Sequence, residues 1–501
     1  MLSIPKATIT SCVALGLFLR WGVSLFPYSG EGKPPMFGDF EAQRHWMEIT
    51  VNLPIHYWYY NSTVNNLNYW GLDYPPLSAY HSYGLGKILA KLLPPAVKLG
   101  TSRGFESPVL KFLMRLSVSA SDLLLPAFII FFTIFKKLKG QHSFPPWLYI
   151  TLAVSAPPFI LVDYGHFQYN CVSLGLTVWA VICLFTENIS LGAVAFTLAV
   201  NHKQMSLYHS LAFFAYMTST LIVKRVDLLT TFRVGTIIIS TLGLLWLPFG
   251  DYWIFVMERV FPLKRGVFED KVGSFWYALD RVTPIRGVYD DTEVAQLCAI
   301  VTLVSVLPSA INLFLRSGNP KSLQDDLLKT FLLSMFNTSL NCFLFSYHVH
   351  EKSIMLPCLA AVLLTPWYPK EMIWFITISS LSLYPLFHQE RSHIALLCVT
   401  SFFVLVAQQG KIITASGIRS LFGIIFVASV GGYLFLIFGL HFITPPGKLP
   451  HLFPALIALY SFIHFVVFTI WFHYNQMVDG RKRTVNATTP TQQGRSTKKI
   501  K

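Results

Sequence analysis

The sequence predicts an all-α protein that crosses a membrane many times, and three observations favour this fold class. Hydrophobic residues make up 53% of the 501 positions. Charged residues make up only 13%, whereas a soluble domain carries about 25%. The apolar residues are also grouped in runs close to the ~20 residues that a membrane-spanning helix needs.

We expect about fourteen membrane-spanning helices along the chain. Each apolar run predicts a helix, because lipid provides no water to satisfy an irregular backbone. The first run contains Arg20 and lacks a small-residue cleavage site, which is typical of a retained signal-anchor. The predicted spans are residues 8–26, 110–135, 146–162, 171–186, 189–200, 206–222, 232–248, 297–314, 329–345, 352–366, 371–387, 392–408, 418–443 and 453–473.

The basic residues between the runs predict which side of the membrane each connection faces. Cytosolic connections carry an excess of Lys and Arg. With a cytosolic N-terminus, the run 136–139, the pair 224–225 and the tail from Arg481 face the cytosol, whereas segments 27–109 and 249–296 face the other side. This pattern accounts for the net charge of +15, so we expect a bilayer and not a nucleic acid as partner.

The chain divides into one predicted transmembrane domain, residues 1–473, and a basic cytosolic tail, residues 474–501. Lys498 and Lys499 have the spacing of a dilysine retrieval signal for the endoplasmic reticulum, an address that a receptor reads. A basic tail without a signal is the alternative. With the signal, the non-cytosolic side is the lumen, where Asn61 begins a glycosylation sequon.

The seven cysteines predict neither a disulfide framework nor a metal site. They lie in or at the edges of apolar runs, and no two of them form a Cys-x-x-Cys pair. We expect no metal and no cofactor.

The densest polar segment is Gly38–Trp46, which follows the first apolar run. Such density beside a membrane span is typical of a site for a polar ligand. Asp39 fits a helix N-cap, and it also fits a general base toward a hydroxyl in a partly dry cavity. Arg44 fits a phosphate or the polar edge of a sugar, or else an ion pair with Glu41 or Glu48 on the same helix.

Aromatic residues are the second feature of segment 27–109. Tyr57–Tyr60 and Tyr69–Trp70 are typical either of the membrane interface or of rings that stack on sugars. Asp73, in the rigid turn Leu72–Pro76, presents a carboxylate that could orient an acceptor or hold Arg44.

Three further polar clusters fall on the same predicted side. Asp163–Asn170 contains more polar groups than a turn needs, which favours a functional role. Lys203, in Asn201–Gln204, runs against the positive-inside bias, although a lysine there could also reach the interface. The segment Arg259–Lys271 fits either a solvated loop or a clamp for a phosphate.

The segment Tyr347–Lys352 closes a predicted span with four ionisable groups. His348, His350 and Glu351 could contribute to a zinc site, but the sequence offers no evident further ligand. We favour contact of His350 and Lys352 with a phosphate.

These motifs resemble the endoplasmic reticulum α-1,3-glucosyltransferases that use dolichyl phosphate glucose in lipid-linked oligosaccharide assembly, a family of the GT-C superfamily. The resemblance covers essentially the whole chain, because long motifs occur in the right order. The motifs are Gly38–Trp46, Gly71–Pro76, Asp163–Asn170, Leu263–Lys271 and His350–Ser353.

The resemblance implies both a fold and an activity. The expected fold is a GT-C bundle with lumenal loop helices over the membrane. The family contains an enzyme that adds the first glucose to the nine-mannose acceptor and a sister that adds the second. This chain follows the first-glucose pattern at Ala42–Trp46 and at Gly71. The sister activity and a non-enzymatic transporter of lipid-linked sugars are the alternatives.

The implied substrates are dolichyl phosphate β-glucose and Man9GlcNAc2 on dolichyl diphosphate. An α-1,3 linkage from this donor requires inversion, hence one displacement and one base. The family places its catalytic carboxylate in the first lumenal loop, which assigns the base to Asp39. The donor carries no nucleotide, so no metal is needed to hold a diphosphate.

The remaining predicted site residues have two roles. The cations expected at the donor phosphate are His350, Lys352, Lys203 and Arg265. The residues expected to position the substrates are Glu41, Arg44, His45, Trp46, Asp73, Tyr74, Asp163, His166, Gln168, Gln204 and Glu351.

Overall fold

The computed structural model describes residues 5–136, 144–223, 228–261, 272–283, 289–319, 323–414 and 417–488. These residues form α-helices, short 3-10 and π turns, and connecting loops. Arg265, most of the basic connections 136–139 and 224–225, and the dilysine pair lie outside the described residues.

The chain begins with one apolar helix and two helices of segment 27–109. They are α1 (Lys6–Ser24), α2 (Asp39–Asn52) and α3 (Pro76–Leu92). Helix α3 begins with a proline, which suits a first turn because the backbone N–H there has no helical partner. Helix α2 packs against α3, and α2 carries the polar residues within 39–48 of the first loop.

The next six helices include a span that is broken at prolines. They are α4 (Pro108–Ser121), α5 (Leu124–Ile134), α6 (Pro146–Val154), α7 (Pro157–Ile160), α8 (Asn170–Phe185) and α9 (Ile189–His202). Pro157 and Pro158 separate α6 from α7, since a proline inside a helix removes a hydrogen bond. A π-helical turn, residues 161–167, follows α7, and such turns often occur at functional sites.

The middle of the chain contains both lipid-facing and core helices. They are α10 (Ser210–Thr218), α11 (Leu228–Trp246), α12 (Trp253–Val260), α13 (Phe275–Val282), α14 (Asp291–Ser317) and α15 (Gln324–Phe345). In the apolar window of α15, 89% of residues are buried, against 11% for the segment that begins with α11. Helix α15 therefore forms part of the core, packed against α14, α16 and α21.

The last six helices complete the bundle. They are α16 (Met355–Leu364), α17 (Pro369–Ser382), α18 (Tyr384–Gln389), α19 (His393–Gln409), α20 (Leu421–Phe442) and α21 (Leu452–Thr488). Helix α16 is short and fully buried. The turn between α18 and α19 approaches the first loop, since Lys33 donates a 2.7 Å hydrogen bond to the carbonyl oxygen of Gln389.

The helices agree with the predicted class. Nine helical segments of the described residues are long and apolar enough to cross a membrane, and α8, α9 and α19 are shorter apolar helices. Helices α16 and α17 coincide with the two remaining predicted spans. The all-α multi-pass class is confirmed, and the number of crossings stays a prediction.

An aromatic cluster joins the two long loops. Trp46 and Trp58 of the first loop pack with Phe249 and Val260 of the second, together with Tyr59. Trp58 is 4% exposed and Tyr59 2%. These two rings therefore hold the loops together and have no free face for stacking on a sugar.

Candidate active site

A close backbone contact places Asp39 at the start of α2. Gly38 lies so near Ser29 that a Cβ atom there would stand 2.6 Å from the Ser29 backbone, so only glycine fits. The hydroxyl of Ser29 accepts a 3.2 Å hydrogen bond from the Asp39 N–H, and the Ser29 N–H donates to the carbonyl of His166. Gly38 is the N-cap and Asp39 the first helical residue, so the N-cap interpretation of Asp39 is wrong.

The Asp39 carboxylate gathers three donors from distant parts of the chain. Lys352 Nζ and His166 Nε2 each lie 2.8 Å from Oδ2, and the side-chain amide of Gln168 donates to the same oxygen. Oδ1 has no protein partner in the part of the chain that the structure describes. The side chain is 23% exposed, so one carboxylate oxygen is held and the other is available to a ligand.

These donors also determine the charge of Asp39. Burial alone would raise the pKa of its carboxyl, but the charges of Lys352 and His166 outweigh burial and hold the pKa well below the usual 3.8. Asp39 is therefore a carboxylate at neutral pH and can accept a proton.

His166 connects the Asp39 carboxylate to Glu390 in the turn between α18 and α19. Its Nδ1 lies 2.5 Å from Oε1 of Glu390, and Glu390 is only 7% exposed. Lys352 Nζ also lies 3.1 Å from Nε2 of His166. Burial would lower the pKa of His166, but the charges of Glu390 and Asp39 raise it to about 9, so the ring carries a positive charge at neutral pH. His166 is 2% exposed and supports Asp39 from behind.

Lys203 continues the network on the other side. Its Nζ donates a 2.9 Å hydrogen bond to Oε1 of Gln168 and another to Asn170, and it lies 4.7 Å above the ring of Tyr74. Burial, followed by the charge of Lys352, lowers the pKa of Lys203 to about 8. Lys203 is therefore a cation whose charge is lost at mildly alkaline pH.

A cavity of about 540 Å³ opens over Asp39. Both long loops and the segment Tyr347–Lys352 contribute to its wall. Predicted site residues in the wall are Asp39, Trp46, Asp73, Tyr74, Gln168, Lys203, Gln204, His350 and Lys352. Its volume and its mixed polar and aromatic wall suit a sugar.

The structure places Glu41, Arg44 and His45 elsewhere. Arg44 is fully buried. It donates to both carboxylate oxygens of Glu41, at 2.7 and 2.6 Å, and to Glu48 at 2.8 Å. It also donates to the Ser102 hydroxyl at 2.8 Å. The ion-pair interpretation of Arg44 is correct, and its guanidinium has no face left for a phosphate.

His45 and Glu48 complete this buried network. Nδ1 of His45 lies 3.1 Å from Oε2 of Glu48, which also accepts from Ser102. Burial would raise the pKa of Glu48, but the bond to His45 and the charge of Arg44 lower it to about 2. Glu41, Arg44 and His45 therefore anchor α2 and do not contact the cavity.

Asp163 differs from its prediction for a similar reason. It is 1% exposed, and its carboxylate accepts from the backbone N–H groups of Asn170 and Cys171 and from the Asn170 side chain. Asp163 thereby fixes the turn before α8. It positions Gln168 and Asn170 rather than a substrate.

Three further described residues also differ from the predictions. Glu390 was not among the predicted site residues, although it lies in a polar turn between two apolar helices. Arg259 lines the cavity and donates to the carbonyls of Gly71 and Leu72. Glu351 neighbours the wall without lining it.

Comparison with known proteins points in one direction. The profile of the "ALG6, ALG8 glycosyltransferase family" matches residues 13–471. The Mus musculus protein named "Dolichyl pyrophosphate Man9GlcNAc2 alpha-1,3-glucosyltransferase" is 38% identical, over 94% of this chain and 96% of its own. A Gallus gallus protein of the same name is 38% identical over 93% and 96%. The Drosophila melanogaster protein, named as a probable enzyme of this kind, is 38% identical over 94% and 98%.

Proposed function

The chain belongs to the ALG6, ALG8 glycosyltransferase family, and we propose that it adds a glucose to Man9GlcNAc2 on dolichyl pyrophosphate. The donor is dolichyl phosphate β-glucose, and the new bond is an α-1,3 linkage to the terminal mannose of the A branch. The relatives' names support the acceptor and the linkage. The donor follows from the resemblance stated above.

The observation that carries this function is the Asp39 carboxylate at the floor of the cavity. Asp39 is held by three donors on Oδ2, is charged at neutral pH, lines the cavity, and has no partner on Oδ1 among the described residues. A general base needs this arrangement: a basic atom within reach of a hydroxyl and a support that keeps it oriented.

The reaction is a single displacement with inversion at the anomeric carbon. Asp39 takes the proton of the mannose 3-hydroxyl while the oxygen of that hydroxyl forms a bond to glucose C1. The bond from C1 to the phosphate oxygen breaks, and its electron pair leaves with dolichyl phosphate. This leaving group needs charge stabilisation more than a proton.

The cations of the cavity divide between base and leaving group. Lys352 Nζ lies 2.8 Å from Asp39 Oδ2, so we assign Lys352 to orient the base and to keep it ionised. An inverting displacement places the leaving phosphate on the opposite face of the sugar from the base. Lys203 and His350, which also line the cavity, are the candidates for the phosphate.

An apolar groove of about 430 Å³ adjoins the cavity and suits a polyprenyl tail. Its wall includes Leu211, Leu303 and Val306. It shares Tyr208 and Tyr347 with the wall of the cavity. A lipid-linked substrate can thus keep its chain in the apolar groove while its headgroup lies among the polar residues.

We place the protein in the endoplasmic reticulum membrane, with the cavity lumenal and the C-terminus cytosolic. The charge pattern and the dilysine pair support this orientation. Asn61, which begins the lumenal sequon, is exposed.

The test is a transfer assay with the purified protein in lipid nanodiscs, glucosyl donor and two defined acceptors. Man9GlcNAc2 on dolichyl diphosphate should gain one glucose, and the acceptor that already carries one glucose should not. Transfer only to the second acceptor would indicate the sister activity. Movement of lipid-linked sugar across the bilayer without transfer would indicate a transporter.

A further inference from the structure

Three histidines from separate elements meet beside the turn that carries Glu390. His388 lies near the end of α18, His393 begins α19, and His441 lies in the last turn of α20. Each offers a ring nitrogen, and these three atoms lie within 4.8 Å of one another. The ring centroids of His388 and His393 lie 4.8 and 5.1 Å from that of His441.

Two of these histidines carry an unsatisfied nitrogen. Nδ1 of His388 and Nδ1 of His393 are buried and have no hydrogen-bond partner in the described residues. A buried polar atom without a partner lowers the stability of a fold, so a ligand that fills both sites would be favoured. The two unpartnered nitrogens and the convergence of three rings at one point fit a shared ligand.

We propose that His388, His393 and His441 bind a Zn²⁺ ion. Neutral imidazole is a preferred zinc ligand, and three histidines with a water complete a tetrahedral shell. Zinc–nitrogen bonds of ~2.1 Å place two ligand nitrogens about 3.4 Å apart, so small rotations of the side chains close the present arrangement. Oη of Tyr384 lies 2.6 Å from Nε2 of His441, the kind of second partner that fixes the ring of a metal ligand.

The zinc ion acts as a clamp and takes no part in bond making. Glu390 lies between two of the ligands in sequence, and its carboxylate contacts His166 at 2.5 Å. His166 in turn contacts Asp39. Zinc therefore ties α20 to the turn that supports Asp39. The metal site does not depend on the proposed function. Only the expectation that zinc helps to hold Asp39 in place for glucose transfer rests on that function.

The first experiment measures zinc in the purified full-length protein, isolated with a tag that contains no histidine. After equilibration with buffered nanomolar free Zn²⁺, mass spectrometry should find about one zinc per chain. His393→Ala and His441→Ala should each lose at least nine-tenths of it. His451→Ala removes an exposed histidine of the loop after α20 and should keep the full content.

A conservative variant separates loss of a ligand from loss of the fold. His441→Cys provides a thiolate, which also binds zinc, and should retain the metal. Wild-type protein without zinc under these conditions would overturn the proposal. So would equal zinc loss in His451→Ala and His441→Ala.

Hydrogen–deuterium exchange tests the clamp without an activity measurement. In the wild type, Zn²⁺ should slow amide exchange in residues 386–394 by about tenfold relative to chelated protein, because opening the turn then requires breaking metal bonds. The His441→Ala variant should show no such difference. Equal exchange with and without zinc in the wild type would contradict the clamp.

Discussion

Helix α2 carries two charged clusters of similar composition in opposite surroundings. At its first residue, Asp39 meets Lys352 and His166 with part of its carboxylate exposed to the cavity. One turn further, Arg44 meets Glu41 and Glu48 with 0% of its side chain exposed. Both clusters are ion pairs, but only the first has an atom left for a ligand.

The difference shows what burial decides. A buried ion pair barely offsets the cost of taking its charges out of water, and it becomes strongly destabilising when one partner is removed. The Arg44 cluster therefore specifies how α2 sits on residues 96–104. The Asp39 cluster has the same kinds of groups and an open side, so its charges are available for chemistry. The comparison predicts that changes in the first cluster alter turnover, and changes in the second alter stability.

The largest effect is expected for Asp39→Asn. The amide keeps the size of the side chain but cannot accept the proton, so kcat should fall by about 10²–10⁴-fold, the usual contribution of a general base. The thermal midpoint should change little. Asp251→Asn alters an exposed carboxylate of the second loop and should leave kcat unchanged. Normal glucose transfer by Asp39→Asn would remove Asp39 from the mechanism.

Arg44→Met tests the other cluster. It leaves Glu41 and Glu48 buried without their cation, which should cost about 3–5 kcal/mol of folding free energy. Thermal unfolding should show this loss, while the molecules that remain folded keep the wild-type KM. Lys111→Met is the matched control. It breaks a half-exposed pair with Glu31, worth about 0–1 kcal/mol, and equal destabilisation by both variants would contradict the comparison.

Lys352→Gln tests whether Lys352 sets the pKa of the base, through the pH dependence of kcat/KM. The charge of Lys352 lowers the pKa of Asp39, so removing it raises that pKa, and the base is then lost at higher pH. The acid limb of kcat/KM should move up by about 1–3 pH units. Lys352→Arg, which keeps the charge, should move it far less. An unmoved limb in Lys352→Gln would show that Lys352 does not control the base.

The smallest effect at neutral pH is expected for Lys203→Arg. Lys203 has a pKa near 8, so it loses its charge as pH rises, and wild-type turnover should fall about tenfold between pH 7 and pH 9. Arginine stays charged over this range, so the fall should disappear in the variant, with little change at pH 7. A persistent alkaline limb in Lys203→Arg would assign it to another group.

Much of the site could be predicted from the sequence because polar residues in a membrane protein are costly and therefore few. Asp39, Gln168, Lys203 and Lys352 were singled out from four separate connections, and the structure brings them within one network. Partners inside a helix could also be predicted, since the i+3 and i+4 spacing from Glu41 to Arg44 and from Arg44 to Glu48 is geometric.

Burial of individual side chains could not be predicted. Arg44 and Asp163 looked equal to Asp39 as polar residues of the loops. Their access to the cavity depends on how other segments fold over them. Ser102, 58 positions from Arg44, covers the guanidinium, and the start of α8 turns back over Asp163. Glu390 was missed because its partner, His166, is 224 positions away.

The sequence by itself determined the all-α multi-pass membrane class, because apolar runs of spanning length can satisfy their backbone in lipid only as helices. The tertiary structure alone decided which charged side chains are exposed to the cavity and which are buried. It also brought His388, His393 and His441 together. The physical reason is that hydrophobic runs act locally, whereas exposure and ligand geometry arise where distant helices meet.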